Sequence, residues 1–430
     1  MCGIVGIFSS NIANKDRTAL ISPMLNTLRH RGPDGQSVWS NDVLSLGHAR
    51  LAVLDVSSNG QQPMTSHCGR YTITFNGEIY NFEDLRKTLD GVKWRGTSDT
   101  EVLLAAISEW GLDGALQKVN GMFAFGLWDV YEEKLFLVRD FLGEKPLYFY
   151  ENEQTVIFSS ELRAIECIPE IELSISRSAI TQYLCYGNIP WPESIYNEVS
   201  KMQPGSYICF SGGSIEYQKQ YFSLKKHIIQ SKEQPILDID VGIGELHSAL
   251  SNSVHQRMVS DVPLGAFLSG GTDSSLIVAL MQEQSTVDVK TFSIGFDNKE
   301  FDEASDARAV AKHLGTEHTE LYVSSADSLG LVEDLGQIYD EPFADSSQIP
   351  TLLVSKLARK DVTVCLSGDG GDELFSGYLR YKATLDIWNF LKWIPFRRQV
   401  TKILVKIPPG MFGFLLGFLK PIALRYGREG

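Results

Sequence analysis

A cysteine at the second position of the chain could act as a nucleophile that carries its own base. If Met1 is removed, which the small side chain of Cys2 permits, the thiol and a free α-amine belong to one residue. The α-amino pKa is about 7.7–8.0, so this amine can accept the thiol proton near neutral pH, directly or through a water. A second-position cysteine alone is weak support for this chemistry, and the prediction depends on the residues that follow.

Three polar groups farther along the chain could bind an amino-acid amide and stabilise its tetrahedral intermediate. Arg50 lies in an otherwise apolar stretch, where its guanidinium can fork onto a carboxylate. Asn76 precedes Gly77, and a side-chain amide next to a glycine N–H forms an oxyanion-hole pair that no Cβ blocks. Asp99 could pair with a substrate ammonium, although in isolation Ser98 or Asp99 is more often a helix N-cap. Together these groups favour glutamine hydrolysis.

Two Gly-rich loops later in the sequence indicate a second site, for a phosphorylated ligand. The first loop lies between an apolar run and a helical pattern and has the sequence Ser269-Gly270-Gly271-Thr272-Asp273-Ser274-Ser275. In such a position, backbone N–H groups at a helix N-terminus can bind an anion. This loop lacks the lysine of a Walker motif. The other loop, Ser367–Glu373, places three carboxylates in five positions, which favours a cation or a cationic ligand nearby. Asp273 and Asp372 are candidate magnesium ligands.

The elements that must hold these groups differ between the two parts of the chain. Residues 1–215 contain short strand patterns punctuated by Gly, Asn and Asp, among them Leu44–Leu54 and Tyr71–Phe75, with three helical patterns between them. These patterns predict an α+β domain built on antiparallel sheet. A polar stretch at 216–240 predicts a linker. Residues 241–430 alternate brief apolar runs with helical patterns, which predicts an α/β domain with a doubly wound parallel sheet.

Composition excludes several classes of function. The 430 residues carry a formal net charge of −14, which would repel a nucleic-acid backbone or an anionic membrane. The six cysteines, at positions 2, 68, 167, 185, 209 and 365, show no spacing typical of a zinc site or a disulfide framework. The N-terminus has no cationic region or signal-length apolar run, so we expect a cytoplasmic protein. The apolar run at 412–419 is too short for a membrane span of about 20 residues.

The order of motifs resembles the N-terminal-nucleophile (Ntn) glutaminase domain of glutamine-hydrolysing asparagine synthetases. The motifs that carry the resemblance are Cys2-Gly3-Ile4, His30–Asp34, Arg50-Leu51, Gly60–Met64, Asn76–Asn81, Gly121–Phe125 and Arg139-Asp140. The resemblance implies a type 2 glutamine amidotransferase with a four-layered αββα sandwich, Cys2 as the nucleophile, and Asn76 and Gly77 as oxyanion donors. It implies glutamine binding by Arg50, Leu51, Ala52, Val53, Leu54, Asn76, Gly77, Glu78 and Asp99.

The second part of the chain resembles the ATP-pyrophosphatase half of the same family. In that family ATP is cleaved between the α- and β-phosphates with Mg²⁺, and the substrate carboxylate becomes an acyl-adenylate. The resemblance implies ATP binding by Phe267, Ser269, Gly270, Gly271, Asp273, Ser274, Ile294, Ser367 and Gly368, and a role for Asp369 in forming the adenylate. From pattern alone, Phe267 and Ile294 would be core residues. Asp340–Ser347 also matches the family and is expected near the substrate.

The resemblance ends near Tyr378, and no counterpart of the family's late segment with its catalytic lysine follows. We therefore expect a partial synthetase domain, and a homodimer or a second chain that completes it is possible. The leading hypothesis is synthesis of asparagine from aspartate, glutamine and ATP. Two others stay open: the same chemistry on another carboxylate, such as a sugar acid in surface-polysaccharide assembly, or a glutaminase joined to an inactive synthetase half.

Overall fold

The computed structural model describes residues 1–152, 154–297 and 302–393, together with Gln399 and Lys402. The apolar run at 412–419 lies outside the described residues. In the first part of the chain, the strands are β1 (Gly3–Ser9), β2 (Gly35–Ser40), β3 (Leu44–Arg50), β4 (Met64–Thr65), β5 (Tyr71–Ile79), β6 (Gly121–Asp129), β7 (Lys134–Arg139), β8 (Tyr148–Asn152), β9 (Thr155–Ser159), β10 (Val199–Lys201), β11 (Ser206–Ser211) and β12 (Ser214–Gln220). The helices of this part are α1 (Asn14–Thr27), α2 (Phe82–Thr88), α3 (Asp99–Leu116), α4 (Arg163–Glu166) and α5 (Arg177–Tyr186).

These strands form two six-stranded sheets whose pairings are all antiparallel. The first has the order β10-β8-β9-β1-β3-β2, and the second has the order β12-β11-β7-β6-β5-β4. Residues of both sheets share one apolar core, which includes Phe8 and Trp128. The outer face of each sheet has its own core, with α1 and α4 on the first sheet and α2 and α3 on the second. The α+β class with antiparallel sheet is confirmed.

The second part of the chain contains a single parallel sheet within its described residues. Its elements are α6 (Leu224–Ser231), α7 (Ile239–Arg257), β13 (Leu264–Phe267), α8 (Thr272–Gln284), β14 (Lys290–Phe296), α9 (Ala304–Leu314), β15 (Glu317–Val323), α10 (Ser325–Gly330), α11 (Leu335–Ile338), α12 (Gln348–Ala358), β16 (Val364–Leu366), α13 (Gly371–Phe375) and α14 (Leu379–Lys392). The strand order is β15-β14-β13-β16. The order reverses between β13 and β16, and in an open α/β sheet ligands bind outside the carboxyl ends of the strands at such a switch point.

Several predicted element limits differ from the structure. Strand β3 ends at Arg50, so residues 51–54 form a loop rather than the end of a strand. Strand β5 continues to Ile79, so Asn76, Gly77 and Glu78 lie within the strand rather than after it. Strand β12 extends past the predicted boundary at residue 215, and helix α6 lies within the predicted linker at 216–240. The domain limits themselves stay a prediction.

Candidate active site

Cys2 immediately precedes β1, and one hydrogen bond fixes its backbone while another reaches its side chain. The Arg31 Nε donates to the Cys2 carbonyl oxygen at 3.0 Å, and the Leu51 backbone N–H donates to the Cys2 Sγ at 3.4 Å. Burial raises the pKa of the Cys2 thiol, while the bond from Leu51 and the adjacent α-ammonium of Met1 oppose that rise. The thiolate therefore has a backbone donor but needs a nearby base to form.

The first cavity, of about 500 Å³, is lined by Cys2 and Asn76 among other residues. Asn76 is 1% exposed, and among the described residues its Nδ2 and Oδ1 have no hydrogen-bond partner. A buried amide without partners is costly unless a ligand satisfies it. Gly77 follows on β5, where a Cβ would lie 2.2 Å from the Met122 carbonyl oxygen on β6. Close approach of the two strands therefore requires glycine at the second predicted oxyanion position.

Two carboxylates, those of Asp99 and Glu78, line this cavity. Asp99 accepts hydrogen bonds from the Ile79 N–H (2.9 Å) and the Thr100 N–H (2.7 Å). Ser98 takes the N-cap position of α3, so Asp99 is free of that role. Burial raises the pKa of Asp99 to about 6, and burial together with the nearby Asp99 raises the pKa of Glu78 to about 7. Both groups would gain from a cationic ligand such as an α-ammonium.

Arg50 lines the cavity from the end of β3, but its side chain already has backbone partners. Its NH1 donates to the Ser57 carbonyl oxygen at 2.9 Å, and its NH2 donates to the Asp55 carbonyl oxygen. The loop that Arg50 supports also contacts the second domain, because the Asp55 N–H donates to the Asp261 Oδ2 at 2.7 Å. Arg50 thus stabilises a loop as well as facing the cavity.

The first cavity brings together most of the residues predicted to bind glutamine. Its walls include Cys2, Arg50, Leu51, Val53, Leu54, Asn76, Gly77, Glu78 and Asp99. Ala52 is not part of the wall; its N–H donates to Asp34 Oδ2 at 2.8 Å instead.

The second cavity, of about 470 Å³, lies at the switch point of the parallel sheet. The loop after β13 and the loop after β16 form two of its sides. Its walls include the predicted residues Phe267, Ser269, Gly271, Asp273, Ser274, Ile294, Ser367, Gly368, Asp369 and Asp372. Gly270 is not part of the wall. Phe267 and Ile294 are half-buried and line this cavity, and Phe267 also packs against the core cluster that contains Phe292.

The loop after β13 is shaped as an anion cradle. Gly271 is the N-cap of α8 and makes no side-chain cap, so the first N–H groups of that helix remain available for a ligand. Gly270 has a φ of +84°, and a Cβ there would lie 2.7 Å from the Ala307 backbone nitrogen. At Gly368 a Cβ would lie 2.7 Å from the Ser274 backbone nitrogen, so the two loops touch. Gly368 thus lets the two loops approach each other, and Gly270 lets the loop after β13 pack against α9.

Three carboxylates approach the mouth of this cradle. Asp273, Asp369 and Asp372 all line the second cavity, and the Ser367 hydroxyl donates to Asp369 Oδ2 at 2.9 Å. Gly371 packs against Asp273, where a Cβ would lie 2.4 Å from Asp273 Oδ2. No group of three or more His, Cys, Asp or Glu residues in the described part of the chain is arranged to hold a metal ion by itself. The oxygen donors suit Mg²⁺ bound jointly with phosphate oxygens.

The two cavities share walls. Ser367 and Asp369 line both, and Thr363, Val364 and Cys365 of β16 and its preceding turn line the first cavity. A strand of the second domain thus closes the cavity that contains Cys2. Residues of both domains therefore line the first cavity, whereas the residues that line the second cavity all belong to the second domain.

Comparison with known proteins agrees with this arrangement. A family model described as a glutamine amidotransferase domain matches residues 1–222, and one described as asparagine synthase matches residues 245–416. An archaeal relative from Methanocaldococcus jannaschii, provisionally named glutamine-hydrolysing asparagine synthetase 2, is 38% identical over 89% of this chain and 76% of its own length. The chain belongs to the glutamine-hydrolysing asparagine synthetase family.

Two bacterial members of the family extend the comparison. Asparagine synthetase 1 (glutamine-hydrolysing) of Bacillus subtilis is 36% identical over 96% of this chain, and asparagine synthetase B (glutamine-hydrolysing) of Escherichia coli is 29% identical over 89% of it. The chain spans 65% of the length of each of these two relatives. Among the described residues, no helix combines the length and the apolar character needed to cross a membrane.

Three further residues line the first cavity and were not predicted from the sequence: His48, Gln62 and Lys145. His48 is fully buried, and burial lowers its pKa to about 3, so it is neutral. Gln62 accepts from the Phe75 N–H at 2.7 Å and fixes β5 beside the predicted oxyanion position. Lys145 is 5% exposed, and its Nζ lies 2.8 Å from the Met1 Sδ. His48 and Gln62 lie in or beside a motif named above, and Lys145 follows the Arg139-Asp140 motif by five positions. Only the fold shows that all three line the cavity.

Proposed function

We propose that the chain is a glutamine-hydrolysing asparagine synthetase. In this proposal Cys2 releases ammonia from glutamine in the first domain, and the second domain uses ATP with Mg²⁺ to activate aspartate for amidation. The observation that carries the proposal is the pair of cavities with common walls. One holds a nucleophile beside an unpartnered amide, the other holds an anion cradle with carboxylates, and Ser367 and Asp369 belong to both.

Glutamine hydrolysis would begin at Cys2 after removal of Met1. The α-amine takes the thiol proton, and Sγ attacks the side-chain carbonyl carbon of glutamine. The developing oxyanion accepts hydrogen bonds from the Asn76 Nδ2 and the Gly77 N–H. The protonated amine then gives its proton to the leaving nitrogen, which departs as ammonia. Water hydrolyses the resulting thioester, which releases glutamate and restores the thiol.

The remaining walls of the first cavity would hold the amino-acid end of glutamine. Asp99 and Glu78 are placed to pair with the α-ammonium, which would return both carboxyls to their charged form. Arg50 would bind the α-carboxylate, and the backbone of residues 51–54 would contribute further hydrogen bonds. The raised pKa values of Asp99 and Glu78 support this assignment, because a bound cation compensates the cost of burying them.

Activation of aspartate would take place in the second cavity. The N–H groups of the loop after β13 and the α8 N-terminus would hold the leaving pyrophosphate, while Phe267, Ile294, Ser367 and Gly368 contact the adenosine half. Mg²⁺, when bound through Asp273 and Asp372, would neutralise phosphate charge. A carboxylate oxygen of aspartate attacks the α-phosphorus and expels pyrophosphate, giving β-aspartyl-AMP, for which Asp369 is the candidate positioning group. Ammonia then displaces AMP and forms asparagine.

The common wall of the cavities explains how one reaction could supply the other. Ammonia released at Cys2 would need to pass Ser367 and Asp369 to reach the adenylate. Such a route keeps ammonia from being lost as ammonium in bulk water, since a dry, enclosed site prevents proton leakage. The shared residues therefore support coupled reactions on one chain.

Two alternatives differ in the acceptor or in the second domain. A sugar acid or another carboxylate would use the same activation chemistry, because the loops recognise ATP rather than the acceptor. A glutaminase joined to an inactive synthetase half would release glutamate without AMP or pyrophosphate. Neither has a specific observation in its favour.

The test compares nitrogen donors in wild type and a Cys2→Ala variant. Wild type should form asparagine from aspartate and ATP-Mg with either glutamine or ammonium chloride. Cys2→Ala should retain only the ammonia-dependent reaction, because the variant lacks the nucleophile but keeps the second cavity. Glutamate release by Cys2→Ala would contradict the assignment of the nucleophile, and asparagine formation with ADP rather than AMP would contradict adenylation.

A further inference from the structure

A series of charged side chains joins the Cys2 backbone to the second domain. Arg31, which donates to the Cys2 carbonyl oxygen, also donates from NH1 to Glu161 Oε1 at 2.9 Å. On the other side of that carboxylate, the Arg163 Nε lies 3.2 Å from Glu161 Oε2 and 2.6 Å from Asp340 Oδ1. Four side chains of alternating charge therefore connect the candidate nucleophile with Asp340.

Burial makes these contacts more consequential than surface ion pairs. The side chains of Arg31, Glu161 and Asp340 are 10%, 12% and 9% exposed, and that of Arg163 is 24% exposed. Salt and water screen such pairs much less than exposed ones. Removal of one member leaves a buried charge without its partner, which neighbouring groups must then accommodate.

The arginine between the two carboxylates hydrogen-bonds to only one of them: the Arg163 Nε donates to Asp340, whereas Glu161 Oε2 lies close enough for an ion pair but has no hydrogen-bond partner among the described residues. Burial alone would raise the pKa of Glu161, but hydrogen bonds from His30 and Arg31 outweigh it and lower that pKa. For Asp340, burial and the charge of Glu161 raise the pKa, and Arg163 opposes the rise. His30 and Arg31 thus keep Glu161 charged, and Arg163 opposes the rise in the pKa of Asp340. A change in the charge of Asp340 must alter how strongly Arg163 draws Glu161 away from Arg31.

Asp340 begins a segment that the first domain holds and that leads to the second cavity. The next residue, Glu341, accepts from the Ile195 N–H at 2.7 Å and pairs with Lys201 at 2.5 Å. Helix α12 starts a few residues later, at Gln348, and its residues Pro350, Thr351 and Val354 line the second cavity. The segment therefore contacts the first domain at its N-terminal end and leads at its C-terminal end to residues that line the second cavity.

We propose that Arg163 and Asp340 are positioning residues of the glutaminase, acting on Cys2 through Glu161 and Arg31. The synthetase domain would then contribute a residue that sets the activity of the other domain. This inference rests on the proposed function, since it assigns a role in glutamine hydrolysis. When Asp340 loses its charge, Arg163 pairs with Glu161 alone, Arg31 loosens, and the Cys2 thiol shifts from the Leu51 N–H and the Asn76 amide. A misplaced nucleophile lowers the rate of attack more than it weakens substrate binding.

The experiment measures glutamate release by Asp340→Asn, Arg163→Gln and the double variant. Each single variant should lower kcat by about 3- to 30-fold with KM within about two-fold of wild type, the range expected for residues that act through others. The double variant should be no slower than the slower single variant, because both changes break one series of contacts. Arg163→Lys should recover part of the loss. Iodoacetamide should alkylate Cys2 more slowly in Asp340→Asn, which a purely structural role elsewhere would not cause.

Two controls separate this role from domain docking in general. Glu341→Gln breaks a neighbouring interdomain ion pair that does not reach Cys2, and it should leave kcat within about two-fold of wild type. Lys219→Gln breaks an exposed pair with Asp113 and should change nothing. Equal losses in Glu341→Gln and Asp340→Asn, or wild-type kcat and alkylation in a folded Asp340→Asn, would overturn the inference while leaving the proposed function intact. Wild type that releases no glutamate would overturn both.

Discussion

Replacement of Asn76 by alanine should separate catalysis from stability. The Asn76 Nδ2 and Oδ1 have no hydrogen-bond partner among the described residues, so the variant breaks no hydrogen bond of the described fold. A buried polar atom without a partner costs about 1–3 kcal/mol, so the free energy of unfolding should stay unchanged or rise. Loss of an oxyanion donor should lower kcat by about 10²–10³, equivalent to about 2.7–4 kcal/mol of transition-state stabilisation.

Thr74 provides a matched control on the same strand. Thr74 is fully buried, and its hydroxyl donates to the Gly47 carbonyl oxygen at 3.0 Å, away from the cavity walls. Thr74→Val should therefore lose about 1 kcal/mol of stability and keep glutaminase activity. The assays are glutamate release at several glutamine concentrations and urea unfolding.

Opposite behaviour of these variants would refute the reasoning. Asn76→Ala with wild-type kcat and a raised KM would show that the amide binds the ground state rather than the oxyanion. A loss of more than about 1 kcal/mol of stability in Asn76→Ala would show that the amide has a structural partner. Either result would remove the oxyanion assignment.

Three further predictions concern the walls of the two cavities. Arg50→Ala should raise the glutamine KM more than it lowers kcat. It should also reduce thermal stability, because the Arg50 guanidinium donates hydrogen bonds to the carbonyl oxygens of Asp55 and Ser57. Unchanged thermal stability would contradict this structural role of Arg50. The glutamine KM should rise as pH falls below about 7, because the Glu78 carboxyl becomes neutral first and that of Asp99 follows near 6. Asp99→Asn should show a high KM already at pH 8. Asp273→Ala should weaken Mg²⁺-dependent ATP binding, measured by calorimetry, without changing glutamate release. Equal ATP affinity of wild type and variant would exclude Asp273 as a magnesium ligand.

The sequence predicts those features that local patterns determine. Alternating strand patterns and Gly-rich loops identified the antiparallel and parallel parts of the fold, and the position of Gly270 and Gly271 after a short apolar run located the cradle at a helix N-terminus. Asn76 and Gly77 were assigned from residue type alone. The position of this pair within β5 was missed, because pairing with β6 extends the strand through residues of low strand propensity.

Contacts between distant segments could not be predicted from one sequence. Lys145 faces Met1 across 144 positions, and Asp340 reaches Arg163 across 177, so no local pattern records either contact. The common wall of the cavities has the same origin, because it exists only where β16 of the second domain approaches the first. Tertiary geometry rather than residue propensity places these groups.

Transfer of labelled nitrogen tests the central claim most directly. The chain is incubated with glutamine labelled with ¹⁵N in the side-chain amide, aspartate, ATP and Mg²⁺, and the products are quantified. The account predicts ¹⁵N in the side-chain amide of asparagine, with glutamate, AMP and pyrophosphate formed in matching amounts. Glutamate and labelled ammonia without AMP, pyrophosphate or asparagine would contradict it and would show a glutaminase whose second domain does not activate aspartate.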